Sequence, residues 1–250
     1  MSSCYTIESW PVCGVGNRLL YYWNLRQKAH SEGKNWCVYP SSDVASLIDI
    51  DNSSSCTFSD STQLPFCLGE NFFKYTQDRL PIYSIFSLKE EREVPKTPYH
   101  KVCIHLRGGD FRTWKNGEGM LSLKYYTDAF DYFMDQVKYC SWPYQIEIIC
   151  DDPEHPVLNP LQSHIYLQSG NGRALCRYER NSIAHDWYSM VESEWIISSP
   201  STFAITAGMV SSAKIIHSKD WVEKRVSEED PFWVGLDNGG NHEYSAEVFI

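Results

Sequence analysis

The sequence predicts an α/β fold made of two halves, each built around a mostly parallel sheet. Three observations carry this. Apolar strands alternate with helical stretches through the second half. A strand, a glycine turn, a helix and a second strand follow one another near the N-terminus. Between them, residues 90–98 form a charged stretch with prolines at 95 and 98, which reads as a linker. The expected domains are residues 1–95 and 96–250.

In the first half, Cys4 to Trp10 reads as a strand, broken by Gly14-Val15-Gly16-Asn17-Arg18. A helical pattern from Leu19 to His30 follows, with Gly33 as its stop, and Trp36 to Tyr39 is a strand closed by Pro40. Asp51 to Thr62, rich in Ser and Asp, reads as a loop. In the second half, strands are expected at Lys101–Leu106, Gln145–Cys150, His164–Leu167, Glu194–Ile197 and Lys214–His217. Helices are expected at Tyr125–Val137, His185–Ser193 and Ser201–Ser212. Ligands of such sheets sit at the carboxyl ends of the strands.

A length of 250 residues is enough for a buried core. The net charge of −10 weighs against a nucleic-acid partner, which needs a basic stripe, but not against a nucleotide held by one or two arginines. No basic region followed by an apolar run opens the chain, and no apolar stretch reaches the ~20 residues of a membrane helix. The nine cysteines are odd in number and widely spaced, without a C-x-x-C pair. They are expected to be reduced thiols of a cytoplasmic protein, and no metal site is expected from them.

Four segments have the residue types for chemistry. His105-Leu106-Arg107-Gly108-Gly109-Asp110 follows a strand, and the planar fork of Arg107 suits bidentate binding of a phosphate. The plain alternative is a turn closed by an Arg107–Asp110 salt bridge. Ser198-Ser199-Pro200-Ser201-Thr202-Phe203 leads from a strand into a helix, where exposed N–H groups favour an anion. Simple N-capping is the alternative there. The turn at Gly14 and Gly16 lets the backbone approach a phosphate or sugar, but lacks the third glycine of a dinucleotide fingerprint. Asp151 and Asp152 end another strand, where a carboxylate can accept hydrogen bonds from guanine, ligate a metal, or simply form an Asp/Pro turn.

Taken together in order, these segments resemble the alpha-1,2-fucosyltransferase family and, more distantly, the alpha-1,6- and protein O-fucosyltransferases. Gly14-Val-Gly-Asn-Arg18 stands where that family has G-G-x-G-N-Q, and His105-Leu-Arg-Gly-Gly-Asp110 where it has H-x-R-R-G-D. Leu121-Ser-Leu-Lys-Tyr-Tyr-Thr-Asp-Ala129 matches its Leu-x-x-x-Tyr-Tyr-x-x-Ala, and Cys150-Asp151-Asp152 its Ser-Asp-Asp. Asp186-Trp-Tyr-Ser-Met190 and Ile196-Ile-Ser-Ser-Pro-Ser-Thr-Phe-Ala-Ile-Thr-Ala207 match its last motif.

The resemblance implies a GT-B fold, two Rossmann-like halves facing a cleft, with the N-terminal half reduced. It implies an inverting, metal-free transfer of L-fucose from GDP-fucose to a hydroxyl of a glycan acceptor, with no other cofactor. By this analogy Arg107 contacts the β-phosphate, His105 and Asp152 flank the nucleoside, Ser201, Thr202 and Phe203 hold the diphosphate, and Asn17 reaches the phosphates from the other domain. The base that deprotonates the acceptor is Asp110 in the first place and Glu118 in the second. Gly108 stands where the family has a second arginine, and Arg18 replaces a glutamine and is expected to supply that charge. Ala204, Ile205 and Thr206 replace a Ser-Trp-Trp run, which leaves rhamnosyl and xylosyl donors open. An inactive carbohydrate-binding relative is the alternative of another class.

Overall fold

The computed structural model describes residues 4–50, 52, 61–63, 100–113, 120–138, 144–169, 174–178, 181–219 and 233–236. The chain divides into two compact units, residues 1–92 and 93–250. The expected linker, residues 90–98, lies outside the described residues.

In the first unit, strand β1 (Cys4–Ile7) lies between β2 (Asn35–Val38) and β3 (Ser61–Gln63), and both pairings are parallel. Helix α1 (Val15–Ser31) connects β1 to β2, and a single-turn helix α2 (Ser42–Ala45) follows. The chain leaves α1 through Gly33 at φ +62, a conformation that favours glycine. Trp23, Tyr21 and Tyr22 of α1 are fully buried. Strand β3 lies at the end of a segment expected to be a loop, since Ser-Thr-Gln has no apolar alternation to announce it.

Cys4 is disulfide-bonded, which corrects the expectation of nine reduced thiols. Cys13, Cys37, Cys103 and Cys150 are free. Pairing depends on how close two Cα atoms come in the fold, which spacing along the chain does not reveal.

The second unit holds a six-stranded sheet with the order β6-β5-β4-β7-β8-β9, every described pairing parallel. Its strands are β4 (His100–Leu106), β5 (Tyr144–Cys150), β6 (Ala174–Tyr178), β7 (Trp195–Ser198), β8 (Lys214–Ser218) and β9 (Trp233–Leu236). Helix α3 (Leu123–Val137) joins β4 to β5, α4 (Leu158–Gln168) joins β5 to β6, α5 (Ile183–Val191) joins β6 to β7, and α6 (Thr202–Met209) joins β7 to β8.

Alternation along β4 sets the two faces. Val102, Ile104 and Leu106 pack with Tyr125, Tyr126, Phe130 and Phe133 of α3 and with Leu161 and Ile165 of α4 in one core. Cys103 points the other way, and its thiol meets the Ser189 carbonyl of α5 at 3.3 Å. Helices therefore cover both faces, as the alternating pattern predicts. Truncating a fully buried aromatic such as Phe130 costs about 3–5 kcal/mol.

One expected strand is a helix. His164–Leu167 lies in α4, with Leu158, Leu161 and Ile165 buried at helical spacing and Tyr166 and Leu167 left 81% and 76% exposed. A four-residue run of β-forming residues hid that period. The strand next in sequence is instead β6.

Candidate functional site

Strand order reverses at β4. From it the chain runs outward through β5 to β6, then returns to place β7 on its other side. This is the topological switch point of the sheet, where the loops leaving two neighbouring strands diverge and leave room for a ligand. The His105 and Ser198–Phe203 segments leave the sheet on either side of that gap.

A direct bond spans it. His105 Nδ1 lies 2.6 Å from the Ser199 hydroxyl, and the Ser199 N–H donates to the His105 carbonyl at 3.1 Å. His105 is buried, and burial, followed by the Arg107 charge and His155, lowers its pKa to about 3. The ring is therefore neutral at physiological pH. Phe203 lies beside it, with ring centroids 6.0 Å apart. Ser201 caps α6, its Oγ accepting from the Phe203 N–H at 3.3 Å, and Thr202 begins the helix. The capping alternative is thus present in this segment.

Arg107 leaves the end of β4 into a 3-10 turn, Gly109–Arg112, with Gly109 at φ +45. Its two terminal nitrogens are separately engaged, Nη1 with Asp151 Oδ2 at 2.5 Å and Nη2 with Asp110 Oδ1 at 2.7 Å. The Arg107–Asp110 salt bridge of the plain alternative is therefore present, but as one arm of a larger network. Asp151 Oδ1 also accepts from the Gly108 N–H at 2.9 Å.

Asp152 is engaged on both oxygens as well. Oδ2 pairs with Arg112 Nε, and Oδ1 accepts from the Glu154 N–H at 3.0 Å, while Arg112 also donates to the Glu154 carbonyl. Desolvation disfavours the Asp152 carboxylate, but Arg112 and the Glu154 N–H outweigh it and hold the pKa below the ordinary value. The turn after β4 is thus fastened to the turn after β5. Two guanidinium groups, Arg107 and Arg112, face three carboxylates, Asp110, Asp151 and Asp152.

Gly108 sits in the narrowest part of this contact. A Cβ there would fall 2.5 Å from Asp152 Cβ and 3.0 Å from His155 Cδ2. No side chain fits without displacing the β5 turn, so the second arginine of the resembling family has no room at this position.

In the first unit, Gly14 is the N-cap of α1, and Gly16, Asn17 and Arg18 lie in its first turn. A Cβ at Gly14 would meet nothing within 4 Å, so packing within the described residues does not demand a glycine there. Arg18 is held inside its own unit, donating to the Pro11 carbonyl at 3.2 Å and pairing with Asp43 at 3.1 Å. Asn17 hydrogen-bonds Cys13, whose thiol pKa is raised by burial against the opposing effect of Arg18. Glu118 lies outside the described residues.

Three residues of the network went unnamed in the sequence reading. Ser199 lies inside a quoted segment but carries no signal apart from the hydroxyl. Arg112 and His155 follow Arg107 and Asp152 by five and three residues, and only the folding of the two turns brings them together.

No family model and no curated protein matches the chain. Among solved structures, a NodZ alpha-1,6-fucosyltransferase soaked with GDP-fucose is similar, with 10% identity, a TM-score of 0.49, and 90% of this chain and 96% of that one covered. Two structures of the fucosyltransferase NodZ from Bradyrhizobium are also similar. One has 10% identity, a TM-score of 0.45 and coverage of 84% and 93%. The other, a selenomethionine form, has 11% identity, a TM-score of 0.49 and coverage of 87% and 94%. No helix among the described residues is long and apolar enough to cross a membrane.

Proposed function

We propose that the protein is a glycosyltransferase that takes its sugar from a nucleoside-diphosphate donor, with GDP-fucose the first candidate and a glycan hydroxyl the acceptor. The observation that carries this reading is the His105–Ser199 bond across the switch point, with the Arg107 fork at its edge. In this reading the donor's diphosphate lies between Arg107 and the N-terminal turn of α6. Arg107 stabilises the negative charge that grows on the departing diphosphate, and the N–H groups at Ser201–Phe203 add to it. The acceptor hydroxyl gives its proton to Asp110, or to Glu118, as its oxygen attacks the anomeric carbon and the bond to the diphosphate breaks. Arginine takes the part a metal plays elsewhere, so the transfer is read as metal-independent, and the family resemblance makes it inverting. The division into two units is compatible with the GT-B arrangement, and the first unit is assigned to the acceptor side.

A second reading differs in the base. Both oxygens of Asp152 are already engaged by Arg112 and Glu154, which favours a donor whose base is read by other groups, as in a rhamnosyl or xylosyl transferase. Calorimetric titration with GDP, UDP and dTDP, alongside hydrolysis of a panel of sugar nucleotides with and without EDTA, separates the two. Tighter GDP binding that weakens in Asp152→Ala is the expected result. Equal or tighter UDP binding supports the second reading, and binding of none of the three nucleotides defeats both. Loss of activity in EDTA, restored by manganese, defeats the metal-free mechanism.

A further inference from the structure

His155 is buried, 4% exposed, directly behind the candidate phosphate turn, and nothing in the proposed mechanism uses it. Its position is fixed from both sides. The His155 N–H donates to the Asp152 carbonyl at 3.0 Å, and its ring lies against Gly108, where only a glycine leaves room for it.

Its tautomer is fixed too. Nδ1 accepts from the Val157 N–H at 3.2 Å, so the proton of the neutral ring belongs to Nε2. Burial lowers the ring's pKa, while a hydrogen bond to the Arg107 main chain acts in the opposite direction. Yet Nε2 is fully buried and makes no hydrogen bond of ordinary geometry. A buried N–H without a close acceptor costs about 1–3 kcal/mol, and the Arg107 main chain is the acceptor that acts on this ring.

We propose that His155 is a positioning residue for Arg107, its Nε2–H directed at the Arg107 main-chain carbonyl behind Gly108, so that the guanidinium stays aimed when a diphosphate displaces Asp110. The free protein holds Arg107 from the side-chain end, through Asp110 and Asp151. Binding of an anion loosens that grip, and a main-chain tether behind Gly108 then keeps the fork aimed. This rests on the nucleotide reading of the site.

The two ring nitrogens can be tested separately. His155→Asn places an acceptor near Nδ1 and removes the Nε2 donor, whereas His155→Gln reaches the Nε2 position and gives up the Nδ1 acceptor. Calorimetric titration with GDP and thermal unfolding are measured for wild type, both variants and Arg107→Ala. His155→Asn is expected to unfold near the wild-type temperature and bind GDP about tenfold more weakly, about 1.4 kcal/mol. His155→Gln is expected to lose thermal stability and recover most of the affinity. GDP affinity unchanged in His155→Asn, or affinity lost in both variants in step with stability, overturns the inference. If His155→Asn does not fold, His155→Gln decides. Near-wild-type affinity there supports the tether, and a loss as large as that of Arg107→Ala overturns it. Wild-type protein that binds neither GDP nor UDP removes the nucleotide reading and the inference with it. GDP binding that only Arg107→Ala abolishes removes the inference alone.

Discussion

Asp151 grips Arg107 from a fixed position, because the oxygen not facing the guanidinium accepts the N–H of Gly108, the next residue in the chain. The carboxylate thus holds both the side chain and the main chain of one turn. Asp110 holds the same guanidinium by a single contact and is 69% exposed. Of the two partners, Asp110 is the one an incoming phosphate can displace at small cost, and Asp151 is the one that stays.

Asp151→Asn therefore separates aim from fold. An asparagine can still accept from Gly108, but its NH2 then stands where the carboxylate oxygen faced the Arg107 guanidinium. Transfer is expected to fall about tenfold or more, in line with a charge-assisted bond to a transition-state group. Stability is expected to drop by less than about 1 kcal/mol, because the pair is partly solvated. Steady-state rates with the best donor of the panel, beside thermal unfolding, give both numbers. Wild-type turnover would remove Asp151 from the mechanism.

Asp110→Asn tests the base against the competitor. Neutralising a carboxylate that occupies Arg107 is expected to tighten GDP binding about threefold, or ~0.7 kcal/mol. Losing a general base is expected to slow transfer to the acceptor about a hundredfold or more. Titration and transfer assays read the two effects independently. Tighter binding with unimpaired transfer leaves Asp110 as a partner of Arg107 only and moves the base to Glu118.

Gly108→Ala probes the seam between the two turns. The new methyl group would lie 2.5 Å from Asp152 Cβ, so the β5 turn must move. A stability loss of about 1–3 kcal/mol is expected by chemical denaturation, together with weaker nucleotide binding. Gly108→Arg, which restores the residue type of the resembling family, is expected to fare worse. Full stability in either variant would mean that the two turns separate easily.

The buried histidines set the acid limb of stability. Burial lowers His105 to about 3 and His217 to about 4, from an ordinary 6.5. The unfolded chain therefore takes up protons that the folded protein refuses. Stability is complete above about pH 6.5 and is lost as pH falls toward the folded values, by about 1.4 kcal/mol per pH unit for each such group. Denaturation midpoints between pH 4.5 and pH 8, above the range in which Asp152 titrates, are expected to fall on the acid side. The slope should be shallower in His105→Gln, and an equal slope would show that His105 accepts a proton in the folded state.

Sequence periodicity alone determined β4, α3, β5, α5, β7, α6 and β8, with the strand ends near which Arg107, Asp151 and Ser201 stand, but not α4, β6 or β9. Apolar alternation in Lys101–Leu106 and helical spacing from Tyr125 to Val137 are local signals, and local physics is enough to read them. Where the local signal was short or mixed, it misled. His-Ile-Tyr-Leu reads as a strand by propensity, yet it is helical because Leu158, Leu161 and Ile165 share one buried face. Tertiary structure alone decided what the site residues touch. Arg18 is spent on Asp43, Asp152 on Arg112, and His155 is placed behind Gly108, each through contacts between residues far apart in sequence or in separate turns. The reason is that charge pairing and close packing act through space, and a sequence holds the groups but not the distances between them.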